Sequence, residues 1–209
     1  MVIIAAVLGL VLGRYLRTFV QEFQGTDPVD GEFRRAVHAT VHLRPTVILP
    51  PTMEVATGLV LALVAWRAGL PYLLFAVIGL VLAVIDWRTT RLPDAITLPA
   101  YPLVALTLLP TGELGRGLLG GAALAAVYGC LWVLRPQAMG LGDAKLAGLI
   151  GLACATLSWQ AWLAAAFWGQ LLGALYAVGL LVSKRGDRKT QFPFGPFMLL
   201  GALAGLCLG

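Results

Sequence analysis

Apolar residues in this chain come in long, nearly unbroken runs, and polar residues are largely confined to the gaps between them. The first run is Val2 to Gly13, and seven more lie near residues 52–66, 68–85, 95–109, 117–134, 144–157, 160–182 and 194–209. The gaps between these seven read "RAGLP", "DWRTTRLPD", "PTGELGR", "RPQAMGLGD", "LSW" and "SKRGDRKTQFP", rich in the turn residues and charges that separate helices. The pattern predicts an all-α fold, a polytopic membrane helical bundle of about eight transmembrane helices, each needing roughly 20 apolar residues to cross. No fixed-period repeat interrupts it.

The first run is short for a crossing. Either the chain starts earlier, or the helix continues through Tyr15 and Leu16 with Arg14 and Arg17 snorkelling to the interface. Secretory signals carry positive charge before the apolar core, whereas here both arginines follow it, so the segment reads as a retained helix. Residues 20–50 form the only long polar stretch, a small extramembrane loop rather than a domain. The chain therefore divides into an N-terminal helix plus loop, 1–50, and a membrane-embedded core, 51–209.

Composition strengthens the membrane reading. Of 209 residues, 59% are hydrophobic and 12% charged, where soluble domains average about 45–50% and about 25%. The net charge of +5 could suggest nucleic acid, but the basic residues sit in short clusters between apolar runs and are not interleaved with aromatics. They report topology instead. If residues 14–50 are cytoplasmic, thirteen lysines and arginines fall on that side and only Arg67 and Arg116 on the other. That bias sets the orientation and puts both termini outside. Cys130, Cys154 and Cys207 all fall within apolar runs, form no C-x-x-C pair, and read as small buried hydrophobes rather than a disulfide or zinc framework.

The ten acidic residues narrow the chemistry. Glu22, Asp27, Asp30 and Glu32 lie in the polar stretch, and Glu113 and Asp187 in short loops, where solvation is the default. Glu54, Asp86, Asp94 and Asp143 remain at or near membrane depth, where an ionisable group needs a partner or a water-filled site. Asp86 ends the third run and Asp143 opens the sixth, 57 residues apart in sequence but both at cytoplasmic helix ends. Gly140 and Gly142 would let backbones pack closely or adopt unusual dihedrals there. If the two carboxylates meet, mutual repulsion separates their titrations, so one holds a proton while the other does not. The ionised one can draw a proton from water and the protonated one can polarise a peptide carbonyl. On spacing alone the other reading stands equally open: both aspartates pair with Arg88, Arg91 or Lys145 as interfacial anchors.

The residues "DWRTTRLPDAITLP" (86–99), "AMGLGDAKL" (138–146) and "FPFGPF" (192–197), with a weaker match at "PPTMEVATGLVLALVAWRAG" (50–69), resemble the type IV prepilin leader peptidases. These are membrane aspartic proteases of the G-x-G-D type. The resemblance implies that Asp86 and Asp143 are the catalytic pair, with Gly140, Gly142, Lys145 and Asp94 supporting them and no catalytic metal. It makes 51–209 the peptidase core and implies prepilin or pseudopilin substrates, with a basic leader before an apolar helix and cleavage just after a glycine. The implied location is a bacterial plasma membrane, with the active site facing the cytoplasm. From the residues themselves, Pro93 sets Asp94 at a helix start as a cap, Glu54 reads as a buried partner for a basic residue, and "FPFGPF" turns the chain into the last helix.

The chain departs from the family in its N-terminal region. Residues 14–50 contain no cysteine, where typical members carry two C-x-x-C pairs, and "GRYLR" (13–17) replaces the Gly-Ser-Phe-Leu-Asn run. His38 and His42, spaced i, i+4, make a poor metal site without a third ligand. No cofactor is expected; S-adenosylmethionine would enter only if the family's N-methylation were retained, and the divergence is in the region associated with it. Other classes predict different sequences. A proton-coupled transporter or channel using the same aspartates needs repeats and midplane polar residues, which are absent. A non-catalytic assembly protein would not need the intact carboxylates. Presenilin-like enzymes want Tyr-Asp in place of Ile85-Asp86 and a Pro-Ala-Leu near the end, and both are missing.

Overall fold

A computed structural model describes residues 1–24, 29–41, 52–134, 136, 139–183 and 192–209. The regular structure among them is entirely helical: α1 (Val2–Gln21), α2 (Val29–Val41), α3 (Thr52–Arg67), α4 (Leu73–Thr89), α5 (Asp94–Leu108), α6 (Leu114–Leu134), α7 (Leu141–Leu157), α8 (Trp159–Val182) and α9 (Gly195–Leu208). Each of the eight apolar runs becomes a helix. Four stretches are long and apolar enough to cross a bilayer by themselves: Val2–Gln21, Leu70–Thr89 (α4 with the 3-10 turn before it), Leu114–Leu134 and Trp159–Val182. The others are shorter apolar helices packed among them.

Burial explains why a short helix is tolerated. α7 is 17 residues long and every residue from Leu146 to Thr156 is buried. A helix that is apolar on all sides belongs in the interior, and α7 is the central post of the bundle. It meets α6 backbone to backbone: a Cβ on Gly151 would lie 2.5 Å from the Gly120 carbonyl oxygen, the small-residue packing by which membrane helices approach closely. Pro99 and Pro102 sit inside α5 without ending it, as proline is tolerated where neighbouring helices enclose the backbone.

Two expectations for the N-terminal part change. α1 does run past Gly13, to Gln21, but Arg17 does not snorkel outward; it is 9% exposed and its Nη2 meets Glu54 Oε2 on α3 at 3.0 Å. The helix is long enough to carry the guanidinium beside a carboxylate, and pairing replaces escape to the interface. The residues 20–50 segment, expected as a loop, contains the 13-residue helix α2. Ala36 and Ala39 are buried while Arg34 and Arg35 face outward, and Phe33 meets Phe19 of α1 edge-on at 6.1 Å. A polar segment with one apolar stripe folds as a helix once a neighbour covers that stripe.

The cysteines are also more varied than expected. Cys154 is buried, Cys207 half-buried and Cys130 exposed on α6, because the apolar outer face of a membrane helix needs no protein cover. His42 lies outside the described residues, as do Arg44, Arg135, Lys184, Arg185, Arg188, Lys189, Asp27 and Asp187. No group of three metal-ligating side chains occurs among the described residues.

Candidate active site

Because successive helices alternate in direction, the C-terminal end of α4 and the N-terminal ends of α5, α7 and α9 gather at one end of the bundle. Asp86 lies in the last turn of α4 and Asp143 in the first turn of α7. Gly195 starts α9 between them: a Cβ there would stand 2.8 Å from Asp86 Oδ2 and 3.4 Å from Leu146 Cδ2, on the next turn of α7 after Asp143. The structure thus brings the two aspartates into one site, within electrostatic reach of each other.

Each carboxylate is held by one backbone amide. Gly195 N–H donates to Asp86 Oδ2 at 2.9 Å, in a buried hydrogen bond across 109 residues of sequence. Gly140 N–H donates to Asp143 Oδ2 at 3.1 Å. That second bond is half of a capping box, in which the third residue of a helix reaches back to the cap; glycine has no side chain to return it. Asp86 is 4% exposed, so its bond from the Gly195 amide is shielded from solvent.

The ion-pair alternative is not what the structure contains. Lys145 turns to Asp94, its Nζ lying 2.7 and 2.8 Å from the two carboxylate oxygens. Arg88 Nη1 donates to the Val20 carbonyl oxygen at 3.4 Å. Neither Asp86 nor Asp143 takes part in an ion pair among the described residues. The bond to Lys145 also overturns the capping role expected of Asp94. Pro93 occupies the cap position with no side-chain cap bond, and both Asp94 oxygens are committed across the helix interface. Tyr101 of α5 reinforces that interface, its hydroxyl donating to the Lys145 carbonyl oxygen at 2.6 Å.

The two motif glycines differ. Gly142 faces Leu92, whose Cβ would be 3.0 Å from an added Cβ, so its smallness lets α7 start against the 90–93 turn. Gly140 has φ −77° and ψ 148°, open to any residue, and an added Cβ would meet only ordinary contacts at 3.5 Å and beyond. Neither glycine adopts positive φ. The glycine that sequence reasoning missed is Gly195, read there only as part of a turn. Its signal was a glycine set between two Phe-Pro-type pairs at a helix start, where a backbone N–H is unspent. Glu54 fits its expected role, as the partner of Arg17.

The fold and site thus define a polytopic helical membrane protein with a carboxylate pair at one end of its bundle. Residues 73–178, which include both aspartates, match the Type IV leader peptidase family, and the chain belongs to that family. It is 30% identical over 125 residues to a prepilin leader peptidase/N-methyltransferase of Aeromonas salmonicida, covering 56% of this chain and 42% of the relative. The protein of that name from Pseudomonas aeruginosa is 29% identical over 174 residues, 76% of this chain and 58% of the relative. Its Bacillus subtilis counterpart is 27% identical over 166 residues, 76% and 66%. The chain spans about half the length of the curated relatives it matches. No solved structure matches it.

Proposed function

We propose that the protein is a membrane aspartic endopeptidase that removes the short basic leader from type IV prepilins or pseudopilins. The observation that carries this reading is the meeting of Asp86 and Asp143, from helices far apart in sequence, at a site where neither takes part in an ion pair among the described residues. Structural carboxylates at membrane depth find basic partners, as Glu54 finds Arg17; a pair with no basic partner among the described residues suits acid–base work.

In the proposed reaction the ionised aspartate takes a proton from a water, whose oxygen attacks the peptide carbonyl carbon. The protonated aspartate gives its proton to the carbonyl oxygen. Collapse of the tetrahedral intermediate breaks the C–N bond as the first aspartate returns its proton to the leaving nitrogen, and the second recovers one from the hydroxyl. Gly195 fixes Asp86 by one oxygen and leaves the other for this chemistry. The substrate's apolar helix lies in the bilayer, and its extended basic leader reaches the pair.

The cytoplasmic face is supported by the basic residues Arg88 in the last turn of α4, Arg91 in the turn before α5 and Lys145 near the start of α7, all at the carboxylate end. N-methylation is left out of the proposal, since residues 14–50 lack the family's cysteines, and S-adenosylmethionine enters only if that activity is retained. The test is cleavage, in detergent or lipid, of a prepilin-like peptide with a basic leader, a junction glycine and an apolar helix. Wild type cleaves after the glycine; Asp86→Ala and Asp143→Ala do not. Robust cleavage by either variant removes the pair from the mechanism, and the product mass reports any added methyl group.

A further inference from the structure

An apolar cavity of about 300 Å³ lies between α3, α4 and α9. Its α4 wall carries Ala76, Gly79 and Ala83 beside the larger Phe75, Leu80 and Val84, and its α9 wall carries Leu199 and Leu203. At one end the walls finish in Trp87 and Pro196, the sequence neighbours of Asp86 and Gly195. Residues seven apart on a helix share a face, so Asp86 lies on the face of Gly79. Along α4 the trough from Ala76 to Trp87 covers about 16 Å at 1.5 Å per residue. It is an apolar groove within the membrane-embedded part of the bundle, and at that end its lining adjoins Asp86 and Gly195 in sequence.

From this continuity we infer that the groove seats the substrate's own apolar helix, packing that helix's side chains against α4 and α9 so that the residue before it is delivered to Asp86 and Asp143. The inference rests on the peptidase reading above and adds where the substrate docks. Two features favour a helix here over other occupants. The lining is apolar throughout, the form of a helix-in-groove site. An occupant parallel to α4 also ends at the depth of Asp86, where its extended leader must begin. A lipid acyl chain would satisfy the first feature but gains nothing from the second.

Two measurements on the full chain in lipid vesicles test this, both with a synthetic polypeptide that has a basic leader, a junction glycine and a helix of about 20 apolar residues. First, a photoreactive residue replaces Leu200, which lines the groove and is 52% exposed, or Leu119, which lies on α6 and is 67% exposed. The inference expects the substrate adduct from position 200 and not from 119; equal yields, or an adduct from 119 alone, overturn it, as does a groove that yields only lipid adducts. Adduct formation needs no cleavage, so this result is read separately from the peptidase reading. Second, Ala83→Phe fills the trough. The ratio of kcat/KM for the full polypeptide to that for a truncated peptide lacking the helix should fall about tenfold. An unmoved ratio, whether both values hold or both fall, overturns the inference. If wild type cleaves neither substrate, the peptidase reading fails and the adduct pattern alone judges the groove.

Discussion

At the end of the bundle away from the carboxylates, Arg116 donates from Nε to the Ala155 carbonyl oxygen at 2.6 Å. Its Nη2 donates to those of Thr156 at 2.8 Å and Leu157 at 3.0 Å. Its Nη1 also meets Glu113 at 3.5 Å. These are the carbonyls that the last turn of α7 leaves without intrahelical partners, and one guanidinium from α6 satisfies them. At the other end of the same helix, Asp143 accepts one amide bond and Asp86 across from it accepts another. A charge saturated with partners holds structure; a carboxylate with unspent acceptor capacity is free to handle protons. On the proposed reading α7 therefore has a structural end and a chemical end, and substitutions should separate the two.

The largest effect on stability belongs to Arg116→Ala, which strands three carbonyl groups of α7. Charge-assisted bonds of this kind predict a loss of about 3 kcal/mol of stability, seen as a lower unfolding temperature in detergent, while molecules that remain folded keep their cleavage rate. A rate loss with unchanged stability would erase the distinction between the ends. Gly195→Ala should do the reverse. Its methyl group would sit 2.8 Å from Asp86 Oδ2, forcing the carboxylate to shift, and misplacement on that scale costs up to about 100-fold in rate. Thermal unfolding should change far less than for Arg116→Ala. The smallest effect is expected from Asp94→Asn. That carboxylate is 56% exposed, and exposed pairs contribute about 0.2–1 kcal/mol. Moderate salt should narrow the difference from wild type; a loss as large as that of Gly195→Ala would draw Asp94 into the chemistry.

Much of the architecture was legible in the sequence because membrane helices announce themselves by apolar runs, and each run became a helix. α2 was not, because its apolar stripe of alanines and Phe33 is weak until α1 covers it. The meeting of Asp86 and Asp143 was legible from topology, since charge bias put both at the same face. What topology could not supply was the partner of each polar group. Lys145 lies two residues from Asp143, yet successive positions point to different sides of a helix, and it bridges to Asp94 instead. Gly195 was hidden for a related reason: a backbone amide has no signature of its own, and its role appears only when α9 is placed against α4. Arg17 and Arg116 each looked like topology markers, while folding gives them specific partners.

The central claim is that Asp86 and Asp143 act as one unit. The most direct measurement is kcat for a prepilin-like peptide with Asp86→Asn, Asp143→Asn and the double variant, each first shown to unfold at a temperature no lower than wild type. Groups that share one catalytic task are non-additive. The account predicts that each single change lowers kcat by about 10²–10⁴ and that the double variant is no slower than the worse single. Losses that multiply, or one single variant with near wild-type turnover, would contradict it.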